Sequence, residues 1–386
     1  MKVLVVAEYY PRAEDPVLGV WAHRQTLAAR DSGADVRVLV LYRPLPPLAT
    51  VRKLDLRGVR HAVSQPRTAT LDGLRVDYLR YLSPPRPWSY GSWGAWAAPV
   101  LRRALTGLRA TFPFDLVHAH YAVPAGDAVR RAAHRVPLVV SVHGGDLYGD
   151  HAGAGTIRAT LAHASLVLAN SSGTARRCAE RGARTTRVIH LGADLPAEPS
   201  RRPQRPVLVT VGHLVARKRH ADVLRAVALL RDRHPDLEYV IVGDGPEKDR
   251  LRALATSLRI ERLVTWRGSL AHSDAVAAAR AATLFVRPSV EEAFGVAYVE
   301  AMGGGVPAIG CRGEDGPEEI AAVGGGIALV APRDPRALAA QIERLLSEPA
   351  QLEAIGRQAR LTIERGFTWP QCGRQTVDAY RAVVRG

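Results

Sequence analysis

The sequence predicts an α/β protein made of two doubly wound domains, and three observations support this fold class. The chain has 386 residues, about twice the length of a typical single domain. Short apolar runs alternate with segments rich in Ala, Arg and Leu, and this alternation occurs once in each half. Between the halves lies Leu195–Pro206, which is rich in proline and arginine as exposed linkers often are. We therefore expect an N-terminal domain over 1–198, a C-terminal domain over 199–366 and a final helical segment over 367–386.

The predicted strands are continuous apolar runs, which suit strands buried on both faces of a parallel sheet. In the first half they are Val3–Ala7, Val36–Leu41, Leu116–Ala119, Leu138–Ser141 and Leu166–Ala169. In the second half they are Val207–Val211, Tyr239–Val242, Leu263–Trp266, Thr283–Val286 and Pro307–Ile309. The intervening Asp222–Arg231 places Val223, Val227 and Leu230 at helical spacing. Strand and helix thus alternate as in two Rossmann-like domains.

Composition and charge narrow the class of protein. The hydrophobic fraction of 47% and charged fraction of 23% are ordinary for a globular protein with two cores. The 53 Lys and Arg against 37 Asp and Glu give a net charge of +16. This excess suits phosphorylated substrates, an anionic membrane face or nucleic acid, but an Arg-rich composition explains it equally well. We expect no nucleic acid partner, because basic and aromatic residues are not interleaved as in known modules.

The cysteines and the hydropathy pattern predict a cytoplasmic protein. Cys178, Cys311 and Cys372 are widely separated and odd in number, which is unlike a disulfide scaffold or a zinc site. No stretch approaches the roughly 18–20 apolar residues that cross a bilayer. Peripheral contact with the inner face of a membrane stays open.

One region interrupts the strand–helix alternation. Arg43–Arg86 carries nine basic and three acidic residues, and Trp88, Tyr90, Trp93 and Trp96 follow it. Basic and amphipathic aromatic residues on a surface loop suit an acceptor or a membrane surface. The alternative, slightly favoured, is a long connection whose aromatic side chains pack on the first domain.

The segment Arg287–Glu300, RPSVEEAFGVAYVE, is the strongest candidate for a ligand site. It follows a predicted strand, and its helix is expected to begin near Val296. Ligands of open α/β sheets collect at the carboxyl ends of strands, where helix N-termini point N–H groups at phosphates. With a turn at Phe294–Gly295, Glu292 projects from the loop and Glu300 from the helix. The E-x7-E spacing alone also fits two solvated glutamates.

Three further segments follow predicted strands. VGHLVARKRH places Arg217 and Lys218 where cations suit a diphosphate, although a solvated basic turn is the favoured interpretation of that segment alone. VGDGPE contains Gly243, which permits close approach to a ligand or simply makes a turn. SVHGGD contains His143, a candidate to contact a reacting sugar or a polar packing residue. His118 and His120 lack a carboxylate or cysteine at a recognisable ligand spacing, so we predict no metal site.

Together these segments resemble the retaining GT-B glycosyltransferases of family 4. The segments VGHLVARKRHADVLRAV, IVGDGPEKDRL, RPSVEEAFGVAYVEAMGGGVPAIG and GPEEI occur in that family's order, and FDLVHAH, SVHGGD and VIHLGADL agree more loosely. The resemblance implies two Rossmann-like domains facing each other across a cleft. It also implies transfer of a hexosyl group from a UDP- or GDP-linked sugar to a hydroxyl of a glycan, a polyprenyl-linked molecule or a small molecule. No metal or further cofactor is expected.

The resemblance assigns roles by position. Lys218 matches the lysine of the donor diphosphate, Glu292 the acidic residue near the donor sugar, and Glu300 the residue of the ribose hydroxyls. His143 matches the histidine beside the reaction centre, so His143, Glu292 and Lys218 are the implied catalytic residues. The resemblance also implies donor contacts at Gly19, Phe294, Gly295 and Val296. His213, Arg217 and Gly243 are further candidate donor-binding residues from the segments in which they lie. The final helix is expected to cross back onto the first domain.

The sequence departs from the family at two positions. Relatives commonly carry arginine at the position of His213, and a histidine side chain is shorter and mostly neutral at pH 7. The diphosphate contact is then weaker or taken over by Arg217. Many relatives also have two glycines where this chain has only Gly19. Two alternatives stay open: a nucleotide-sugar epimerase or other GT-B enzyme, and a catalytically silent nucleotide-sugar-binding subunit.

Overall fold

A computed structural model of the protein describes residues 1–45, 64–85, 89–133, 135–148 and 153–385. The chain forms two compact units, Met1–His190 with Trp369–Gly386, and Leu191–Thr368. The division lies a few residues before the expected 198/199. Arg280 and Arg360 explain the difference, because both side chains belong to the second unit and donate hydrogen bonds to the carbonyls of Asp194 and Pro196. The first residues of the linker are thereby held on the second unit.

The first unit is an eight-stranded sheet covered by helices. Its strands are β1 Lys2–Ala7, β2 Asp35–Tyr42, β3 Thr68–Leu71, β4 Leu74–Arg80, β5 Leu116–His120, β6 Leu138–Val142, β7 Leu166–Ala169 and β8 Thr186–Val188. Their order is β3-β4-β2-β1-β5-β6-β7-β8, and β3 is antiparallel to β4 while the others run parallel. The helices are α1 Val20–Asp31, α2 Trp93–Thr111, α3 Asp127–Ala132, α4 Ala154–His163 and α5 Ser172–Glu180.

The second unit is a six-stranded, all-parallel sheet. Its strands are β9 Val207–Val211, β10 Glu238–Val242, β11 Val264–Gly268, β12 Leu284–Val286, β13 Ala308–Cys311 and β14 Ile327–Val330, in the order β11-β10-β9-β12-β13-β14. The helices are α6 His220–Leu230, α7 Lys248–Ser257, α8 His272–Arg280, α9 Val296–Gly303, α10 Asp315–Val323, α11 Pro335–Ser347 and α12 Pro349–Gly366. Each unit is thus a doubly wound α/β domain, as predicted.

Strand order determines where a ligand can bind in each sheet. The chain passes from β9 to β10 on one side, and β12 pairs with β9 on the other side. Neighbouring loops therefore diverge at the carboxyl ends of β9 and β12, and this switch point is where open α/β sheets form a crevice. In the first unit the corresponding point lies between β1 and β5, because β2 and β5 flank β1.

All ten predicted strands are present within a residue or two of their expected ends, whereas β3, β4, β8 and β14 were not predicted. The β3–β4 hairpin lies at a sheet edge, where β3 alternates between exposed and half-buried residues and β4 between buried and more exposed ones, so neither strand forms an apolar run. Asp72 and Gly73 join the two strands with φ values of 47° and 77°. Two successive positive φ angles make the tight turn that suits a twisted hairpin.

The basic, tryptophan-bearing region is described only in part. Residues 46–63 and 86–88, including Arg86 and Trp88, lie outside the described residues. Trp93 is buried and its indole N–H donates to the Pro84 carbonyl, as the packing interpretation expects. Trp96, in contrast, is 52% exposed. Over the described ranges, no helix is long and apolar enough to cross a membrane.

The C-terminal helix α13, Trp369–Arg385, packs on α1 within the first unit. The Gln25 amide donates to the Thr376 hydroxyl at 3.3 Å, and the buried Tyr380 hydroxyl lies 2.7 Å from His118 Nδ1. Gly373 is buried, and a side chain added there would meet the Ala28 carbonyl. The two helices therefore approach each other most closely at this glycine.

We expect Gly373→Ala to destabilise the protein by about 1–3 kcal/mol, because the added methyl forces two packed helices apart. The matched control is Gly107→Ala in α2, where a Cβ has no neighbour within 4 Å. Alanine there is expected to stabilise the helix by about 0.5–1 kcal/mol. Urea unfolding of both variants checks the pair. If Gly373→Ala were as stable as Gly107→Ala, the packing at α1 would not be as described.

Candidate functional site

The loops that follow β9 and β12 are bonded to each other at the carboxyl edge of the second sheet. The Val290 backbone N–H donates to the Arg217 carbonyl at 2.8 Å. The exposed Arg217 guanidinium donates back to the Glu291 carbonyl at 3.3 Å. The structure therefore brings the predicted Lys218 and Glu292 segments together. Arg217 links the two loops, and its predicted diphosphate contact stays a prediction.

Lys218, Glu292 and Arg287 form a buried charge cluster at this edge. Lys218 Nζ donates to Glu292 Oε2, and Arg287 Nη2 lies 3.3 Å from the same oxygen. The side chains of all three are less than a tenth exposed. Two cations thus share one carboxylate, which leaves the cluster with a net positive charge when all three are ionised.

Burial and neighbouring charge act on the pKa values of the cluster. Burial opposes ionisation of Glu292, but the charges of Arg287 and Lys218 outweigh it and lower the Glu292 pKa to about 2. Burial and the Arg287 charge lower the pKa of Lys218 to about 7, and Glu292 partly offsets this. Glu292 is therefore a carboxylate at neutral pH, and Lys218 depends on that carboxylate to keep its proton.

Arg287 was not among the predicted site residues. Its guanidinium lies over the Tyr298 ring, 4.5 Å from the centroid, and donates to the Val211 carbonyl at 3.3 Å. The Tyr298 hydroxyl in turn donates to the Arg287 carbonyl. The sequence carried a signal for this residue, since Arg287 directly follows an apolar strand and precedes Pro288. A charge at the end of a buried strand requires a partner, which here is Glu292.

The backbone around the cluster is held in an uncommon conformation. Arg219 and Glu291 have φ values of 57° and 56°, although neither is glycine. Such residues persist where surrounding contacts hold them, often at functional sites. Here the next N–H along the chain, that of Glu292, donates to Glu314 Oε2 at 2.8 Å. Glu314 therefore fixes the loop from the next strand along the sheet.

The N-terminus of α9 completes this edge. Gly295 is its N-cap with φ 87°, and a side chain there would meet Arg287 Nη2 and the Tyr298 ring at 2.5 Å. The Phe294 ring is buried and packs on Phe367, 5.8 Å between centroids, so the ring belongs to the core. The first N–H groups of a helix have no intrahelical acceptor, which makes the turn before Val296 suitable for an anion.

Glu300 lies on α9, as predicted from its spacing. His272 Nε2 lies 2.7 Å from Glu300 Oε1, and Arg280 donates to the Glu300 carbonyl at 3.0 Å. The Glu300 side chain is 12% exposed. His272, another residue that was not predicted, therefore orients one oxygen of the carboxylate.

The other two predicted residues of this unit lie on adjoining loops. A side chain at Gly243, which has φ 139°, would collide with the Gly212 carbonyl, so this glycine allows the loops after β9 and β10 to pack together. His213 is exposed on the loop after β9. Their predicted contacts with a donor stay predictions.

In the first unit, aromatic side chains surround His143 at the carboxyl edge of the sheet. Its Nε2 lies 3.0 Å from His120 Nδ1, and the two rings are stacked with an interplanar angle of 11°. The Tyr121 and Trp21 ring centroids lie 5.1 and 6.2 Å from that of His143. Burial lowers the pKa of His143 to about 3, so the imidazole is neutral at physiological pH.

Gly19 caps α1 at the same edge, with φ 65°. A side chain there would collide with the Tyr9 backbone, and the Tyr9 ring packs on Tyr121 with 4.8 Å between centroids. Gly19 and His143 are therefore joined through aromatic residues that the sequence interpretation did not include. The described part of the chain contains no group of three His, Cys, Asp or Glu side chains arranged to hold a metal ion.

We expect the buried histidines to make the first unit sensitive to acid. His120 is 0% exposed, and burial followed by the nearby His118 and His143 lowers its pKa well below 6.5. The unfolded chain thus binds a proton below about pH 6.5 that the folded chain rejects, so stability is lost as the pH falls below that value. His120→Gln is expected to show a shallower loss between pH 7 and 5. Chemical denaturation at each pH measures the difference, and equal slopes would contradict the assignment.

Comparison with known proteins identifies the family. The family model described as Glycosyltransferase Family 4 matches residues 19–197, and that described as Glycosyl transferases group 1 matches residues 194–362. D-inositol 3-phosphate glycosyltransferase 1 of Catenulispora acidiphila is 31% identical over 72% of this chain and 75% of its own length. The chain belongs to glycosyltransferase family 4. The glycogen synthase of Mycobacterium tuberculosis is 28% identical to this glycosyltransferase over 100% of the chain and 96% of its own length.

Solved structures show that the glycosyltransferase has the GT-B fold. Sucrose-phosphate synthase of Thermosynechococcus elongatus superposes with a TM-score of 0.79 at 19% identity, covering 100% of this chain and 99% of the other. HepE of Anabaena, in complex with UDP and glucose, superposes with a TM-score of 0.72 at 20% identity, covering 99% and 100%. The predicted fold class, two Rossmann-like domains of GT-B type, is confirmed.

Proposed function

We propose that the protein is a retaining glycosyltransferase that moves a hexosyl group from a nucleoside-diphosphate sugar to an acceptor hydroxyl. The observation that carries this proposal is the buried Lys218–Glu292–Arg287 cluster at the β9–β12 switch point, directly before the N-terminus of α9. A cation, a carboxylate and a helix N-terminus at one sheet edge suit a ligand that has both phosphates and sugar hydroxyls.

The donor diphosphate is expected to contact Lys218 and the N–H groups at Gly295 and Val296. These groups stabilise the negative charge that grows on the departing nucleoside diphosphate, which is an electrostatic form of catalysis. Because the protein supplies the cations, we propose that transfer needs no metal ion and no further cofactor.

The two glutamates of the E-x7-E motif are expected to contact different parts of the donor. Glu292 is ionised beside the diphosphate contacts and accepts hydrogen bonds from sugar hydroxyls. Glu300 lies further along α9 with one oxygen bonded to His272, so its carboxylate suits the ribose hydroxyls. The UDP and glucose in the HepE structure support a UDP-linked donor, and a GDP-linked donor stays open.

Transfer with retention requires the new bond to form on the face of the sugar that the diphosphate leaves. We propose that the bond between the anomeric carbon and the diphosphate oxygen breaks while the acceptor oxygen bonds to the same carbon. The acceptor proton passes to the departing phosphate oxygen, so atoms and charge balance without a covalent enzyme intermediate. His143, neutral at physiological pH, is proposed as a hydrogen-bonding group for the reacting sugar.

The first unit is proposed to bind the acceptor. The basic residues of Arg43–Arg86 and the exposed side chain of Trp96 suit a polyprenyl-linked or glycan acceptor and peripheral contact with an anionic membrane. A small-molecule acceptor fits the aromatic residues around His143.

Proton NMR of the purified protein with UDP- and GDP-linked hexoses tests the proposal. With a glycan, polyprenyl-linked or small-molecule acceptor, the anomeric signal of the product is expected to keep the donor configuration. Without an acceptor, the donor sugar is expected to remain unchanged apart from slow hydrolysis. A change in donor stereochemistry without acceptor would identify an epimerase, and an inverted product would overturn the retaining mechanism.

A further inference from the structure

We propose that Arg287 is a positioning residue for the nucleoside diphosphate: it holds Glu292 so that Lys218 can move to the phosphates, and its guanidinium adds a positive charge between the end of β9 and the N-terminus of α9. The inference rests on the proposed function. It assigns a role to a residue outside the E-x7-E motif and outside the loop that carries Lys218.

The geometry places Arg287 between the two loops that would hold the diphosphate. Its Nη1 donates to the Val211 carbonyl, two residues before His213. Its Nη2 faces Glu292 Oε2 and lies where a side chain at Gly295 would project. The guanidinium therefore spans from the end of β9 to the N-terminus of α9.

The charge balance explains why a second buried cation is needed. Lys218 and Glu292 alone would form a neutral pair, and a diphosphate would have to compete with the carboxylate for the lysine. With Arg287 on the same carboxylate oxygen, Lys218 Nζ can exchange Glu292 for a phosphate oxygen while Glu292 keeps an ionic partner. The carboxylate is then neither left unpaired nor free to turn away from the sugar.

A purely structural role does not account for how Arg287 is buried. Arg287 Nε is buried and has no hydrogen-bond partner among the described residues, and Nη2 meets Glu292 Oε2 at 3.3 Å as an ion pair without the geometry of a hydrogen bond. Buried donors are nearly always bonded, and apolar residues often replace buried ion pairs without loss of stability. A guanidinium with incomplete bonding beside a helix N-terminus therefore points to an anionic ligand.

The test compares a nucleoside diphosphate with its nucleoside. UDP, uridine, GDP and guanosine are each titrated separately by calorimetry. The proteins compared are the unaltered protein, Arg287→Met, Arg287→Lys and the double variant Arg287→Met/His213→Arg. Arg287→Met is expected to weaken binding of the diphosphate about 10- to 100-fold, the size of a lost charged contact, while nucleoside binding stays within about twofold. Arg287→Lys keeps the charge, so its affinity for the diphosphate is expected to lie between those of the unaltered protein and Arg287→Met. It replaces Arg287→Met in the test if the methionine variant does not fold.

Arginine at position 213 provides the decisive comparison. It is expected to restore about tenfold of the lost diphosphate affinity in the double variant, although it cannot repair packing around residue 287. Equal weakening of diphosphate and nucleoside, or no restoration, would overturn the role of Arg287 and leave the proposed function standing. If the unaltered protein bound neither diphosphate, the proposed function would fail and this inference with it.

Discussion

Lys218→Ala is expected to lower kcat/KM for sugar transfer by about 100- to 1000-fold, the loss typical of removing a preorganised group that stabilises developing charge. Lys218 is the cation closest to Glu292 in the cluster, and the proposed mechanism requires it at the diphosphate. The remaining Arg287–Glu292 contact keeps the carboxylate paired, so the variant should still fold. Initial rates at several donor concentrations, together with thermal unfolding, measure both effects.

The charge-matched control is Arg357→Ala on α12, whose guanidinium and Glu353 partner are both more than 60% exposed. An exposed pair of this kind contributes little stability, so activity and stability should stay near those of the unaltered protein. If Lys218→Ala transferred sugar at the rate of this control, Lys218 would not bind the diphosphate.

Gly295→Ala has the second largest expected effect. Its φ of 87° already disfavours any side chain, and the added methyl would overlap Arg287 Nη2 and the Tyr298 ring. We expect a loss of stability of about 2–4 kcal/mol from backbone strain and overpacking together. Nucleoside-diphosphate binding should weaken more than tenfold, because the added methyl group displaces the N-terminus of α9. Urea denaturation and calorimetric titration measure the two quantities.

Gly313→Ala separates strain from crowding. Gly313 has φ 80°, close to that of Gly295, but a Cβ there meets nothing within 4 Å. The expected loss is about 1–2 kcal/mol from the left-handed backbone alone, without a change in nucleotide binding. Equal effects of the two substitutions would show that the space around Gly295 is unimportant.

The sequence predicted the buried part of the fold well, for a physical reason. Central strands such as β1, β6 and β9 are covered on both faces, so they appear as apolar runs that stand out from their surroundings. The β3–β4 hairpin exposes part of each strand at a sheet edge, and its charged residues fell within a region interpreted as a basic connection. Edge strands carry less of the apolar signal on which the prediction depended.

The candidate site was predicted where it depends on local sequence and missed where it depends on contacts across the sheet. Glu292 in a loop and Glu300 on a helix followed from the position of Gly295. His272 is distant in sequence from Glu300, the residue that it contacts. Arg287 lies in the same segment as Glu292, but the local sequence assigned it no role. Their partners became apparent only when β9 and β12 lay side by side and α8 lay beside α9.

Hydrogen–deuterium exchange with and without UDP and GDP tests the central claim most directly, namely that the β9–β12 edge of the second unit binds the donor nucleoside diphosphate. Whichever of the two nucleotides binds is expected to slow exchange at amides within 216–218 and 290–300. Lys218→Ala should reduce this protection at the same nucleotide concentration. Protection confined to 1–190, or absent from both loops while the nucleotide is bound, would contradict the assignment of the donor site.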